Sequence, residues 1–121
     1  MSTNTDAGIS RDQAMELLET YLQNPKLISH CVATEAIMRS LARKYAEDET
    51  VWGLSGLLHD LDYQITGEDS ATHGVETEKI LSAENVLPII SDTIKKHNAE
   101  GLGLQRTTRF EHALTCAETI T

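Results

Sequence analysis

Apolar residues recur at roughly every third or fourth position along this chain, and nowhere do they alternate with polar ones as a half-buried strand requires. A chain patterned in this way folds as an all-α domain. Ser10 with Gln13 reads as a capping box that opens a helix over residues 10–22, in which Met15, Leu18 and Leu22 share one face. Asn24-Pro25 breaks it, and a second helix follows over 26–46 with Leu27, Cys31, Met38, Leu41, Ala42 and Tyr45 at helical spacing. Residues 51–61 are apolar almost all round and carry Gly53 and Gly56, as a buried helix packed tightly against its neighbours would. Gly67 and its polar neighbours make 64–71 a loop, and the helix after it, 72–83, holds His73 in its first turn and Val75, Ile80 and Leu81 as apolar positions. Pro88 fits the first turn of the next helix, with Ile89, Ile90 and Ile94 inward and His97 at its end before Gly101 and Gly103. A last helix starts near Thr107 or Thr108. The expected architecture is a bundle of about six helices over 10–121, behind a flexible lead at 1–9.

At 121 residues and 40% hydrophobic content the chain fits one core, so function belongs inside that core or on its rim. A formal charge of −9 repels long nucleic acid and anionic membranes, which leaves a small ligand as the expected partner. No apolar run approaches the roughly 20 residues of a membrane span, and the first residues are neither basic nor apolar, so a cytoplasmic protein is expected. Cys31 and Cys116 form no CxxC pair and read as buried small apolar residues.

Antiparallel helices place the start of one beside the end of the next. His30 near one helix start then comes level with His59-Asp60 at the following helix end, and His73 and His97 repeat the relation in the second hairpin. Four histidines and a carboxylate thus converge at one end of the bundle. Neutral imidazoles with carboxylates suit divalent iron, manganese, zinc, cobalt or nickel better than magnesium. A buried histidine satisfied by core hydrogen bonds is the competing reading for each, and His112 keeps it.

Leu57-Leu58-His59-Asp60, with His30 about thirty residues upstream, resembles the HD-domain superfamily of metal-dependent phosphohydrolases. The segment from His73 to Leu81 is similar to the helix that follows the HD motif in HDIG-type members, and Ile94-Lys95-Lys96-His97 to their next histidine-bearing helix end. The likeness spans roughly residues 26–121 and implies an HD-domain-like helical bundle, C-terminally short. It also implies that His30, His59 and Asp60 ligate a first divalent metal, with Asp60 bridging to a second held by His73 and His97. The family's last ligand is an aspartate after alanine; here Ala117-Glu118 stands in that place, one methylene longer.

Where many members continue with Ile-Gly-Lys, this chain has Leu61-Asp62-Tyr63, and Asp62 is expected to support a ligand or to act as a general base. Asn98 and Gly101-Leu102-Gly103-Leu104 replace the residues typical of members that act on a cyclic dinucleotide. The activity implied is hydrolysis of a small phosphoester or nucleotide through a metal-activated hydroxide, with Lys95 and Lys96 as the nearest cations for its phosphate. Two alternatives stand beside it: a degenerate HD domain serving as a ligand-binding or regulatory module, and a di-iron HD-type oxygenase. The chain ends three residues after Glu118, within a helix of the family, and the packing that leaves exposed favours a homodimer.

Overall fold

The computed structural model describes residues 8–66 and 73–120, and its described residues form helices and turns without a strand. Six helices of nine residues or more make the bundle: α1 Arg11–Tyr21, α2 Pro25–Lys44, α3 Glu49–Leu58, α5 Val75–Ala83, α6 Pro88–Lys96 and α8 Arg109–Ile120. Two single turns complete the order, α4 Tyr63–Thr66 and α7 Ala99–Leu102.

The starts follow local chemistry. Ser10 and Gln13 close the capping box on α1, backbone amide to side chain in both directions. Asn24 ends nothing by itself: its side chain accepts the Lys26 amide at 2.9 Å and Pro25 takes the first helical position, so the pair that stops α1 also starts α2. Asp48 caps α3 through the amides of Thr50 and Val51, which brings its start forward to Glu49, and its end falls at Leu58 rather than Leu61 because 59–62 form tight turns. Thr108 and Glu111 form a second capping box at the start of α8.

Five expectations are corrected, the last of them the burial of Cys116. Tyr63–Thr66 is a helical turn where a loop was expected, and residues 67–71 of that loop lie outside the described residues. His73 precedes α5 rather than sitting in its first turn, because Gly74 at φ +94° cannot belong to a helix. Ile89 is 55% exposed, since the buried stripe of α6 runs through Ile90 and Ile94 and lies about 100° further round. Residues 1–7 of the expected lead are outside the described residues, but Ile9 is buried in the core. Cys31 is buried, as expected, and its thiol is pushed up to about 12 by that burial; Cys116 is exposed.

Two close approaches set the position of the site. A Cβ on Gly56 would lie 2.9 Å from the Thr34 carbonyl oxygen and 3.0 Å from the Glu35 Cα, so α3 touches α2 backbone to backbone. This brings the end of α3 beside the first turns of α2. A Cβ on Gly74 would lie 3.1 Å from the Lys95 Cα, which presses the entry to α5 against the end of α6.

Glu35 ties α1 to α2. Its carboxylate takes a two-pronged contact from Arg11, at 2.8 Å on each oxygen, and a further one from Arg39 at 3.1 Å. Burial alone would raise this carboxyl, but hydrogen bonds and charge from Arg11, then Arg39, hold it below the usual range. A carboxylate depressed in the folded state adds stability above its unfolded value of about 4.3 and loses it as pH falls through the lower folded value. Glu35→Gln is therefore expected to cost about 1–2 kcal/mol at pH 7 and less at pH 3. Urea midpoints at the two pH values check this, and a cost that does not shrink on acidification contradicts it.

Candidate metal centre

Each histidine of the cluster sits at or near a helix end. His30 lies in the second turn of α2, His59 caps the end of α3, His73 precedes α5 and His97 caps the end of α6. Asp60, in the turn after α3, stands between them. The His30 and His59 Nε2 atoms are 3.1 Å apart, and the Asp60 Oδ2 is 3.4 Å from the first and 3.3 Å from the second. On the other side the His73 and His97 Nε2 atoms are 3.0 Å apart, and the Asp60 Oδ1 is 3.2 and 3.6 Å from them. Two triangles of ligand atoms thus share one carboxylate, one oxygen to each.

The chemistry of this donor set fits divalent ions. Ligands about 2.1 Å from a common ion stand roughly 3.0–3.4 Å from one another, which is the spacing of the first triangle and of the second except for its His97–Asp60 edge at 3.6 Å. The outer nitrogens are already committed. His59 Nδ1 donates to the Gly56 carbonyl at 2.7 Å, His73 Nδ1 donates to Asp62 Oδ1 at 2.7 Å, and His97 Nδ1 donates to the Ile94 carbonyl. The proton of each neutral ring is thereby held outside, and the Nε2 lone pair is turned inward. Lone pairs this close repel unless a proton or a metal ion lies between them.

Without metal, protons take that place. Burial would lower His73, but hydrogen bonds to Asp60 and Asp62 raise it to about 9. His59 is raised too, its burial outweighed by the Asp60 charge, whereas His30 is lowered by burial and by His59. Asp60 is buried, which favours its neutral form, yet His59, His73 and His97 together hold it far below the usual carboxylate range.

Asp62 is fully buried and faces away from the triangles. Its Oδ2 accepts the amides of Gly74 at 2.7 Å and Thr77 at 3.0 Å, and its own amide donates to the Thr77 hydroxyl. With its oxygens engaged by His73, Gly74 and Thr77, the carboxylate orients a ring, and the geometry does not support the general-base role expected for it. Glu118 on α8 comes within 4.0 Å of His30 Nε2, beyond the spacing of either triangle. Lys95 is ion-paired with Glu78 at 3.1 Å, and Lys96 with Glu111 at 3.1 Å and Asp92 at 3.5 Å. Both lysines, expected as the cations for a substrate phosphate, are thus engaged by acids in the fold.

Two residues that the sequence reading did not place clasp the second triangle from behind. Asn98 donates its side-chain amide to the His73 carbonyl at 3.0 Å, and Arg106 donates to the His97 carbonyl at 3.1 Å. The position of Asn98, directly after His97, was a usable signal; Arg106 carries none in the local pattern.

Among the described residues no helix is long and apolar enough to cross a membrane. No curated protein and no solved structure matches the chain. The family model described as HD domain matches residues 27–120, the stretch from the start of α2 to the end of α8 that carries both triangles. That match covers well over half of the chain, which belongs to the HD-domain family.

Proposed function

We propose that this chain is a metal-dependent phosphohydrolase acting on a small phosphoester or nucleotide. The observation that carries the reading is the pair of donor triangles joined by Asp60, with ring protons fixed on the far side of His59, His73 and His97. In this reading His30, His59 and Asp60 hold one ion, with Glu118 closing on it from α8, and Asp60, His73 and His97 hold another. Nitrogen with carboxylate oxygen favours iron, manganese, zinc, cobalt or nickel over magnesium. Bound divalent ions supply an acidified water and neutralise charge on a phosphoryl group. The protein's own part is to orient the ligands: Gly56, Ile94 and Asp62 keep three imidazoles in the ligating tautomer, while Asn98 and Arg106 hold the backbone that carries two of them. The net charge of −9 directs the site to a small phosphate rather than to long nucleic acid.

The second reading, a binding module without turnover, is favoured by one observation, the stand-off of Glu118 from His30. Metal analysis of protein purified without chelators, followed by phosphate release from a panel of phosphomonoesters, separates the two. The hydrolase reading expects near-stoichiometric metal and turnover that chelation abolishes and the same metal restores. Bound metal with no turnover under iron, manganese, zinc, cobalt or nickel overturns it in favour of the binding module. Bound iron with an oxygen-dependent optical change and no phosphate release overturns it in favour of an oxygenase.

A further inference from the structure

A groove of about 470 Å³ runs along the start of α2, lined by Pro25, Lys26, Ser29, His30 and Ala33. His30 is both a wall of this groove and a member of the first donor triangle, so the two are neighbours. Lys26 and His30 are four residues apart, so they share a helix face about one turn from each other. Pro25 and Ala33 add apolar surface to the lining, and Ser29 adds a hydroxyl.

Lys26 stands apart from the other cations. Of the ten Lys and Arg side chains, six are ion-paired to carboxylates, two lie over the Tyr45 ring, and Arg106 donates to the His97 carbonyl. Among the described residues the Lys26 ammonium has no such partner; the bond at this position is made by its backbone amide to Asn24. In a chain with nineteen acidic residues, an unclaimed cation beside the metal centre marks where negative charge is tolerated.

We infer that Lys26, with Ser29, forms a second anion subsite, so that the ligand is a small phosphoester carrying a further phosphate about one helical turn from the first. This deepens the phosphohydrolase reading and rests on it for the first phosphate. The body of such a ligand lies over Pro25 and Ala33, with one phosphate at the donor triangles and the other at the Lys26 ammonium. The side chain of Lys26 takes no part in capping α2, so its replacement leaves the helix start intact.

The test uses probes whose carbon–phosphorus bonds resist hydrolysis: propane-1,3-diylbisphosphonate and propylphosphonate, titrated into the metal-loaded protein by calorimetry at low salt. The wild type is expected to favour the bisphosphonate by about fivefold, the ordinary reach of one exposed ion pair, and to lose that margin at high salt. Lys26→Gln removes the margin and Lys26→Glu reverses it, whereas Lys79→Gln, which makes the same change in net charge on α5, keeps it. If propylphosphonate binds but the bisphosphonate binds no better, or if Lys26→Gln keeps the margin, the subsite is overturned while the metal centre stands. If neither probe binds the metal-loaded wild type, the subsite and the reading beneath it both fall.

Discussion

Replacing Asp60 with alanine is expected to empty both donor sets at once. Each of the other ligand atoms belongs to one triangle, but the two Asp60 oxygens close one triangle apiece, so a single substitution leaves two pairs of histidines and no triad. Losing an outer partner of a metal ligand costs about 10–100-fold in affinity, and losing a shared ligand costs roughly 100-fold or more at both positions. Metal content by mass spectrometry after equilibration with one equivalent of each ion should fall from near-stoichiometric to background, and any phosphoester hydrolysis with it. Asp60→Asn separates charge from shape, because it keeps the side-chain volume while removing the anion that gathers His59, His73 and His97. It too should lose the metal. His112→Ala, on the outer face of α8 and distant from both triangles in the fold, should change neither quantity. A fully loaded, active Asp60→Ala protein overturns the assignment of the centre.

The fold was legible wherever two or more turns repeated their pattern or a cap announced a start. Ser10 with Gln13 did so for α1, and the apolar run around Gly53 and Gly56 did so for the buried α3. Elements of a single turn escaped, because four residues at Tyr63–Thr66 or Ala99–Leu102 contain too little of a 3.6-residue period to reveal it. Thr108 with Glu111 was a readable capping box that the periodicity reading passed over. Within the cluster, His30, His59, Asp60, His73 and His97 could be brought together on paper because they stand at helix ends, and antiparallel packing aligns ends. What spacing does not encode is which way a side chain between elements turns. Asp62 and the lysines at 95 and 96 depend on contacts 11 to 17 residues away, made only once α5, α6 and α8 have packed. Charge partners on different helices are a tertiary outcome, which is why Lys95 and Lys96 looked available in the sequence and are engaged in the fold.

Asp62→Asn is expected to remove one metal and spare the other. Within the described contacts the carboxylate accepts from His73, Gly74 and Thr77, so it can hold a proton on His73 Nδ1 while also taking the amides of Gly74 and Thr77. An asparagine in the same place has one oxygen for those two amides, and turns its NH₂ toward His73. Two donors then face each other, and the clash is relieved when the imidazole moves its proton from Nδ1 to Nε2. That tautomer aims a hydrogen, not a lone pair, at the second triangle. The backbone bonds that anchor the start of α5 survive, so the fold persists where Asp62→Ala would leave the buried amides of Gly74 and Thr77 and the His73 ring without their acceptor, at about 1–3 kcal/mol for each unsatisfied group. Metal bound through His73 and His97 should weaken by about 10–100-fold, an effect of the orienting partner alone, while metal bound through His30, His59 and Asp60 keeps its affinity. Nitrogen chemical shifts of His73 in the metal-free protein, read well above the value of about 9 to which the ring is raised so that it is neutral, report the tautomer directly and would not respond to a merely structural loss. Two ions bound as tightly as in the wild type, or a neutral His73 ring that still carries its proton on Nδ1, would show that Asp62 does not orient the ligand.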